Sequence, residues 1–248
     1  MKFINKFKSP NFNKRKFFKI EFIIIHYTAI KDYENAISFL CNEKNRVSCH
    51  FLISQKGKIY SLVDEDKRAW HAGQSFWNSN LDINSSSLGI ELDYSHFKKN
   101  NKFSKKMINS LIALIKYLKN KYKIENKNIL GHSDIAPFRK IDPGPKFPWQ
   151  TIRKNDLVFN PNKRPLLNIL ILKKWLTKCK IITNRQIAIF ILGYIGYDTS
   201  EIICDKKYLI KIIRAYKINF MKESSYSLDN RTINFMIKHF SNLILTKN

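Results

Sequence analysis

The sequence predicts an α/β fold, a mixed β-sheet flanked by helices, followed by a small all-α three-helix domain. Three observations carry that prediction. Apolar runs of strand length alternate with helical patterns over the first 150 or so residues, a turn-rich stretch interrupts them, and the remaining residues are almost wholly helical in period. With 248 residues, 44% hydrophobic and 13% aromatic, the chain can build a real core without disulfide staples, and disorder is a poor description of it.

Each element has its own signal. Residues 21–27 (EFIIIHY) are a β-branched apolar run ending in a histidine and suit a strand buried on both faces. Asp32 caps a short helix in DYENAISFL. SCHFLIS and KIYSLV flank Gln55-Lys56-Gly57, a hairpin with glycine where φ turns positive. A Trp- and Asn-rich loop (70–86) leads to a further strand at 88–94 (LGIELDY). Ser104 caps a helix on which Met107, Ile108, Leu111, Ile112, Ile115, Leu118 and Tyr122 keep helical spacing. FNPNKRP (159–165) reads as a linker, which makes 1–158 one domain and 166–248 a second. Three amphipathic helices are expected in the second: NRQIAIFILGYIGY, DKKYLIKIIRAYKINF and DNRTINFMIKHF.

Composition bounds the partners. A net charge of +26, from 45 Lys+Arg against 19 Asp+Glu, raises nucleic acid or an anionic surface. The cations are spread from Lys2 to Lys247 among isoleucines and asparagines, so biased composition is the preferred reading, no specific nucleic acid is expected, and attraction to an anionic polymer is the lesser reading. Cys41, Cys49, Cys179 and Cys204 have no CxxC spacing and read as reduced, mostly buried thiols. The N-terminal stretch has no apolar core, cleavage site or lipid-accepting cysteine, so a cytoplasmic location is expected from it, with the periplasm or outer membrane as the alternative. The apolar run near 187–197 falls short of the roughly 20 residues a membrane span needs, so no transmembrane segment is expected. A monomer is the expected state.

Chemistry-bearing residues gather around GHSDIAPFRKIDPGPKFPW (131–149), where two prolines and a glycine come just after Asp142. On this segment alone a plain turn explains them equally well. His26 shifts the balance, because it stands where a strand leaves the sheet. A catalytic zinc takes three N, O or S ligands and leaves a position for water, a set that His26, His132 and Asp142 can supply. Spacing by itself is weak support for it.

The motifs SPNFNKR, IIIHYTA, VSCHFLI, RAWHAG, SLGIELDY and GHSDIAPFRKIDPGPKFPW, in this order over about residues 9–155, resemble the zinc-dependent N-acetylmuramoyl-L-alanine amidases, the amidase_2 family. Members with a helical peptidoglycan-binding-like extension are the most similar. The resemblance implies an enzyme that hydrolyses the amide between N-acetylmuramic acid, or its 1,6-anhydro form, and the L-alanine of the stem peptide, with peptidoglycan or its fragments as partner. It implies Zn2+ on His26, His132 and Asp142, Glu91 as catalytic glutamate and Lys140 as catalytic basic residue. His50 and His71 match positions that line or support the cleft, and Trp70 is a candidate for stacking on sugar or peptide. His96 and His239 lack a motif and read as surface residues. Cys49 alternates away from His50 and reads as structural.

The extension departs from its pattern. Tyr216-Lys217 replaces the usual Phe-Gln pair, and SYSL precedes Asp229 without glycine, so buttressing the first domain is preferred over glycan binding. The alternative to the enzyme is a recognition protein that holds a muropeptide uncut; such proteins lack a zinc ligand, and this sequence keeps all three.

Overall fold

A computed structural model of the chain describes residues 2–16, 19–97, 102–162, 169–202 and 205–244. Its centre is a five-stranded sheet in the order β4-β3-β6-β2-β7. These strands are β2 (Phe22–Tyr27), β3 (Phe51–Ile53), β4 (Ile59–Ser61), β6 (Ser87–Leu92) and β7 (Ile129–Gly131). β2 runs parallel to β6 and β7, β3 parallel to β6, and only the β3–β4 hairpin is antiparallel, so the sheet is mixed as expected. Gly57 turns that hairpin at φ +78°, a backbone region that side chains with a Cβ avoid. A separate ribbon pairs β1 (Phe12–Lys14) with β5 (Lys67–Ala69) antiparallel, and neither of these two strands carries an apolar run that announces it.

All six residues of β2 are buried, and their alternation sorts them onto two faces. Ile23 and Ile25, with Leu88, Ile90 and Leu92 of β6, pack under helix α3 (Lys105–Tyr122), which Ser104 caps by accepting from the Met107 N–H. Leu114 joins the buried stripe of α3, while Ile112 and Tyr122 are only half-buried. Helix α1 (Tyr33–Leu40) covers the β3–β4 end with Ala36, Ile37 and Leu40 against Leu52, Tyr60 and the buried thiol of Cys49. Cys41, Cys49 and Cys179 are free thiols, with Cys179 exposed; Cys204 lies outside the described residues.

The opposite face of β2 meets the helical segment. Four long helices are described there rather than three, because α6 (Ile169–Lys178) precedes α7 (Asn184–Ile195), α8 (Lys206–Tyr216) and α9 (Asn230–Ile244). The chain continues from α8 through a π-helical turn, Lys217–Met221. Phe22, Ile24 and Leu130 of the sheet share one apolar core with Leu176, Ile191, Ile213 and Phe240 of these helices. The expected linker falls partly outside the described residues, at 163–165. Among the described residues no helix is long and apolar enough to cross a membrane.

His239 corrects the surface reading made for it. It is 1% exposed, stacks on Phe159 and lies within hydrogen-bond distance of the Tyr216 hydroxyl. An isolated histidine on an amphipathic helix gives no sign of which face it takes, and here it takes the apolar one. His96 is exposed, against the Tyr27 and Phe97 rings.

Candidate active site

Parallel pairing brings the chemistry together. Register sets His26 beside Glu91 and Ile25 beside Gly131, so the C-terminal ends of β2, β6 and β7 carry His26, Glu91 and, one step on, His132. This edge of a parallel sheet is where α/β proteins assemble sites. His132 opens the short helix α4 (His132–Ile135), and the Ser133 N–H donates to the Asp142 carbonyl at 2.8 Å, which ties the Asp142 loop to that helix.

Three side chains that are distant in sequence converge. His26 Nδ1 lies 2.9 Å from His132 Nδ1 and 3.2 Å from Asp142 Oδ2, and His132 Nδ1 lies 3.1 Å from the same oxygen. All three residues are buried, and among the described residues they form the one His/Cys/Asp/Glu group placed to hold a metal ion.

Their surroundings fix which atoms face the centre. His132 Nε2 is 3.1 Å from the Ala72 carbonyl, which can only accept, so this nitrogen carries the proton and Nδ1 presents a lone pair. A longer chain does the same for His26. The Ser87 hydroxyl donates to the Ile83 carbonyl at 2.5 Å and is left to accept from His71 Nε2 at 3.2 Å. His71 Nδ1 then accepts from His26 Nε2 at 3.1 Å, and His26 Nδ1 is free for the centre. Two imidazole lone pairs and a carboxylate oxygen at about 3 Å repel one another without a proton or cation between them, and this donor set suits a divalent metal.

Residues 71 and 72 orient both histidines, and Asn84 holds them in place. Its Oδ1 accepts from the His71 N–H at 3.1 Å and the Ala72 N–H at 2.8 Å. Gly89 makes room, since a Cβ there would sit 2.4 Å from the His71 ring. Asn84 and Ser87 lie in a polar run, INSSS, that offers no metal-ligand spacing, so sequence reasoning passes over them.

A cavity of about 320 Å³ opens beside the cluster, and Glu91, His71, Tyr27 and Lys140 are among its walls. Glu91 Oε2 is buried without a hydrogen-bond partner. Burial, with the Asp142 charge adding to it and Lys140 opposing, pushes the Glu91 carboxyl up to about 8. Burial and the neighbouring His132 hold His26 down to about 4, and burial holds His71 well below its ordinary value. Asp142 goes the other way: burial would raise it, but in the metal-free site attraction to His132 and His26, when either carries a proton towards it, outweighs that and holds it well below the usual carboxylate range.

Two of the expected substrate contacts lie elsewhere. His50 is fully buried outside this cavity; its Nδ1 accepts from the Gly89 N–H at 3.0 Å and its Nε2 lies 3.1 Å from the Lys67 carbonyl, so neither nitrogen is left for a ligand. Trp70 is half-buried at the β1–β5 ribbon and donates through Nε1 to Asn13 at 3.0 Å, away from the cavity wall. His71 does line the cavity, with both ring nitrogens engaged by protein.

Comparison with known proteins adds an independent line. The family profile described as N-acetylmuramoyl-L-alanine amidase, Amidase_2, matches residues 16–145. N-acetylmuramoyl-L-alanine amidase AmiD of Escherichia coli K12 is 36% identical over 152 residues, covering 56% of this chain and 54% of AmiD. The 1,6-anhydro-N-acetylmuramyl-L-alanine amidase AmpD of the same organism is 42% identical over 108 residues, 44% of this chain and 57% of AmpD. The chain thus matches about half the length of these curated relatives. Among solved structures, E. coli AmiD bound to the substrate anhydro-N-acetylmuramic acid-L-Ala-D-γ-Glu-L-Lys aligns with a TM-score of 0.75 at 25% identity, over 99% of this chain and 94% of the other. AmpDh3 from Pseudomonas aeruginosa in complex with anhydromuramic pentapeptide also reaches 0.75 at 25% identity, over 91% and 92%.

Proposed function

The chain belongs to the N-acetylmuramoyl-L-alanine amidase family, and from that premise we propose that it is a zinc hydrolase of peptidoglycan fragments. The bond cut is the amide between the lactyl carbonyl of N-acetylmuramic acid, or its 1,6-anhydro form, and the nitrogen of L-alanine in the stem peptide. The observation that carries this reading is the convergence of His26 Nδ1, His132 Nδ1 and Asp142 Oδ2 beside the unpartnered Glu91 Oε2.

His26, His132 and Asp142 would hold the zinc, which would supply Lewis acidity to acidify water and polarise the scissile carbonyl. Glu91 takes the proton from the attacking water. Its Oε2, buried and without a hydrogen-bond partner, is left to accept that proton and then deliver it to the alanine nitrogen as the C–N bond breaks. The Lys140 side chain makes no hydrogen bond among the described residues, so its ammonium is available to the negative charge that grows on the carbonyl oxygen. The C–O bond formed and the C–N bond broken leave a lactyl carboxylate and a free amine. His71 and the Ala72 carbonyl aim the ligands, and the helical segment buttresses the sheet face beneath the site.

The test is direct. Purified protein with about one equivalent of zinc should release the free stem peptide from anhydromuropeptides, identified by mass, and lose that activity to a chelator and regain it with zinc. Binding of the muropeptide without any cleavage overturns the reading in favour of a recognition protein.

A further inference from the structure

A second cavity, of about 360 Å³, lies against the segment Arg139, Lys140 and Ile141, three residues it shares with the cavity of Glu91. Its far wall is α8, where Lys207, Lys211 and Arg214 fall at i, i+4 and i+7 on one helix face. Five cations therefore border one space, and no carboxylate lines it among the described residues.

Dispersed lysines explain much of the charge of this chain, but not this arrangement. Some surface cations meet anions, as in Lys8–Asp64, Lys121–Glu65 and Arg231–Glu223, but 19 carboxylates cannot pair 45 cations, so what marks this cavity is the grouping of five cations on one space. None of the five around this cavity is in an ion pair among the described residues. Two are fastened by carbonyls: Arg139 donates to Gln74 and Ala72, and Lys211 donates to Phe138 at 3.0 Å. Arg214 is not so placed. Its Nε is buried without an acceptor, while its guanidinium lies over the Tyr226 ring at 5.2 Å. A buried N–H of a charged group left unpaired is costly, and an anion in the cavity relieves both that cost and the mutual repulsion of the cations.

We propose that this cavity is an anion subsite for an acidic peptide, built half from the Asp142 loop and half from α8, and that it takes carboxylates of the stem peptide on the amine side of the cut. The assignment of that ligand rests on the amidase reading. A γ-linked glutamate leaves its α-carboxylate free, and a chain-terminal residue carries another, which gives the cations two anions within a short peptide. The helical segment then contributes to substrate binding through charge, independently of any glycan.

Binding decides the matter without needing cleavage. The probe is the tripeptide L-Ala-D-γ-Glu-L-Lys and its analogue with both carboxylates amidated, titrated calorimetrically into the full chain. The wild type should bind the acid form about tenfold or more tightly than the diamide. Lys207→Gln/Arg214→Gln should erase that preference, and the charge-retaining Lys207→Arg/Arg214→Lys should keep it. With a muropeptide substrate the Gln variant should raise KM for the acid form with kcat unchanged. Equal affinity of the wild type for the two peptides, or equal loss in the Gln and charge-retaining variants, overturns the subsite. A wild type that binds the acid peptide selectively yet cleaves no muropeptide overturns the amidase reading and leaves the subsite standing.

Discussion

The His71 imidazole stands 3.1 Å from the Nε2 of His26, on the side of that ring away from the His132 and Asp142 ligand atoms. It holds the proton of His26 where it would not block a metal on Nδ1. Nothing in this contact touches substrate, so its effect belongs to metal affinity before it belongs to rate. His71→Phe keeps the ring volume and removes the acceptor; zinc affinity, measured by competition with a chromophoric chelator, should fall about 10- to 100-fold. Unchanged affinity in a folded variant removes the orienting role.

Glu91 links the site to stability. Its folded carboxyl is pushed up to about 8 from an ordinary 4.5, so in metal-free protein the unfolded chain gives up this proton first as pH rises. The stabilisation is therefore full below about 4.5 and is lost towards pH 8, by on the order of 1 kcal/mol per pH unit. Metal-free wild type should lose more stability between pH 5 and pH 8 than metal-free Glu91→Gln, read from urea midpoints. The comparison cancels His26, whose pKa is held down to about 4 and whose contribution is lost as pH falls towards that value. Parallel curves for the two proteins refute the burial argument.

Activity tests the roles of Glu91 and Lys140. Glu91→Gln retains shape but cannot carry a proton, so kcat should fall by about 10²- to 10⁴-fold. Lys140→Met removes the cation proposed to meet the charge on the carbonyl oxygen, and kcat should fall by about 10²- to 10³-fold. Zinc content should stay near one equivalent in both, since neither is among the three converging donors. Loss of metal along with rate assigns them a structural part instead.

Much of this architecture is legible from residues alone, for physical reasons. The run at 22–27 is fully apolar up to its histidine because both faces are covered, and the stripe on α3 is amphipathic because one face is not. The motif order points to His26, His132 and Asp142 as a set, yet the sequence is silent on what makes them converge, which is the pairing of β7 with β2. β7 is three residues long and β1 and β5 no longer, too short to show a period. Networks such as Asn84 to His71 to His26 depend on tertiary placement of polar residues that occur everywhere in this chain. His50 illustrates the converse: its motif is apparent, but only the fold reveals that Gly89 and Lys67 occupy it.

The helical segment is bound to the site by a buried carboxylate. Asp134, two residues beyond His132, accepts from the Tyr197 hydroxyl at 2.6 Å, the Asn219 amide at 2.7 Å and the Gly131 N–H at 2.8 Å, and Asn219 accepts in turn from Arg153. Burial pushes Asp134 up to about 6, and those donors oppose the shift. Two of its three partners, Tyr197 just after α7 and Asn219 in the π-helical turn, come from the helical segment, which also covers Phe22, Ile24 and Leu130 of the sheet. Tyr197→Phe should then cost about 1–3 kcal/mol by leaving a buried oxygen unpaired, measured by denaturant unfolding. A chain ending at residue 162 exposes that sheet face and strips Asp134 of both side-chain donors, so it should fail to unfold cooperatively and should bind zinc poorly. A soluble 1–162 fragment with a sharp melting transition and full zinc affinity contradicts this, because it requires the α4 helix and its ligand to hold their place with an apolar face of the sheet open to water.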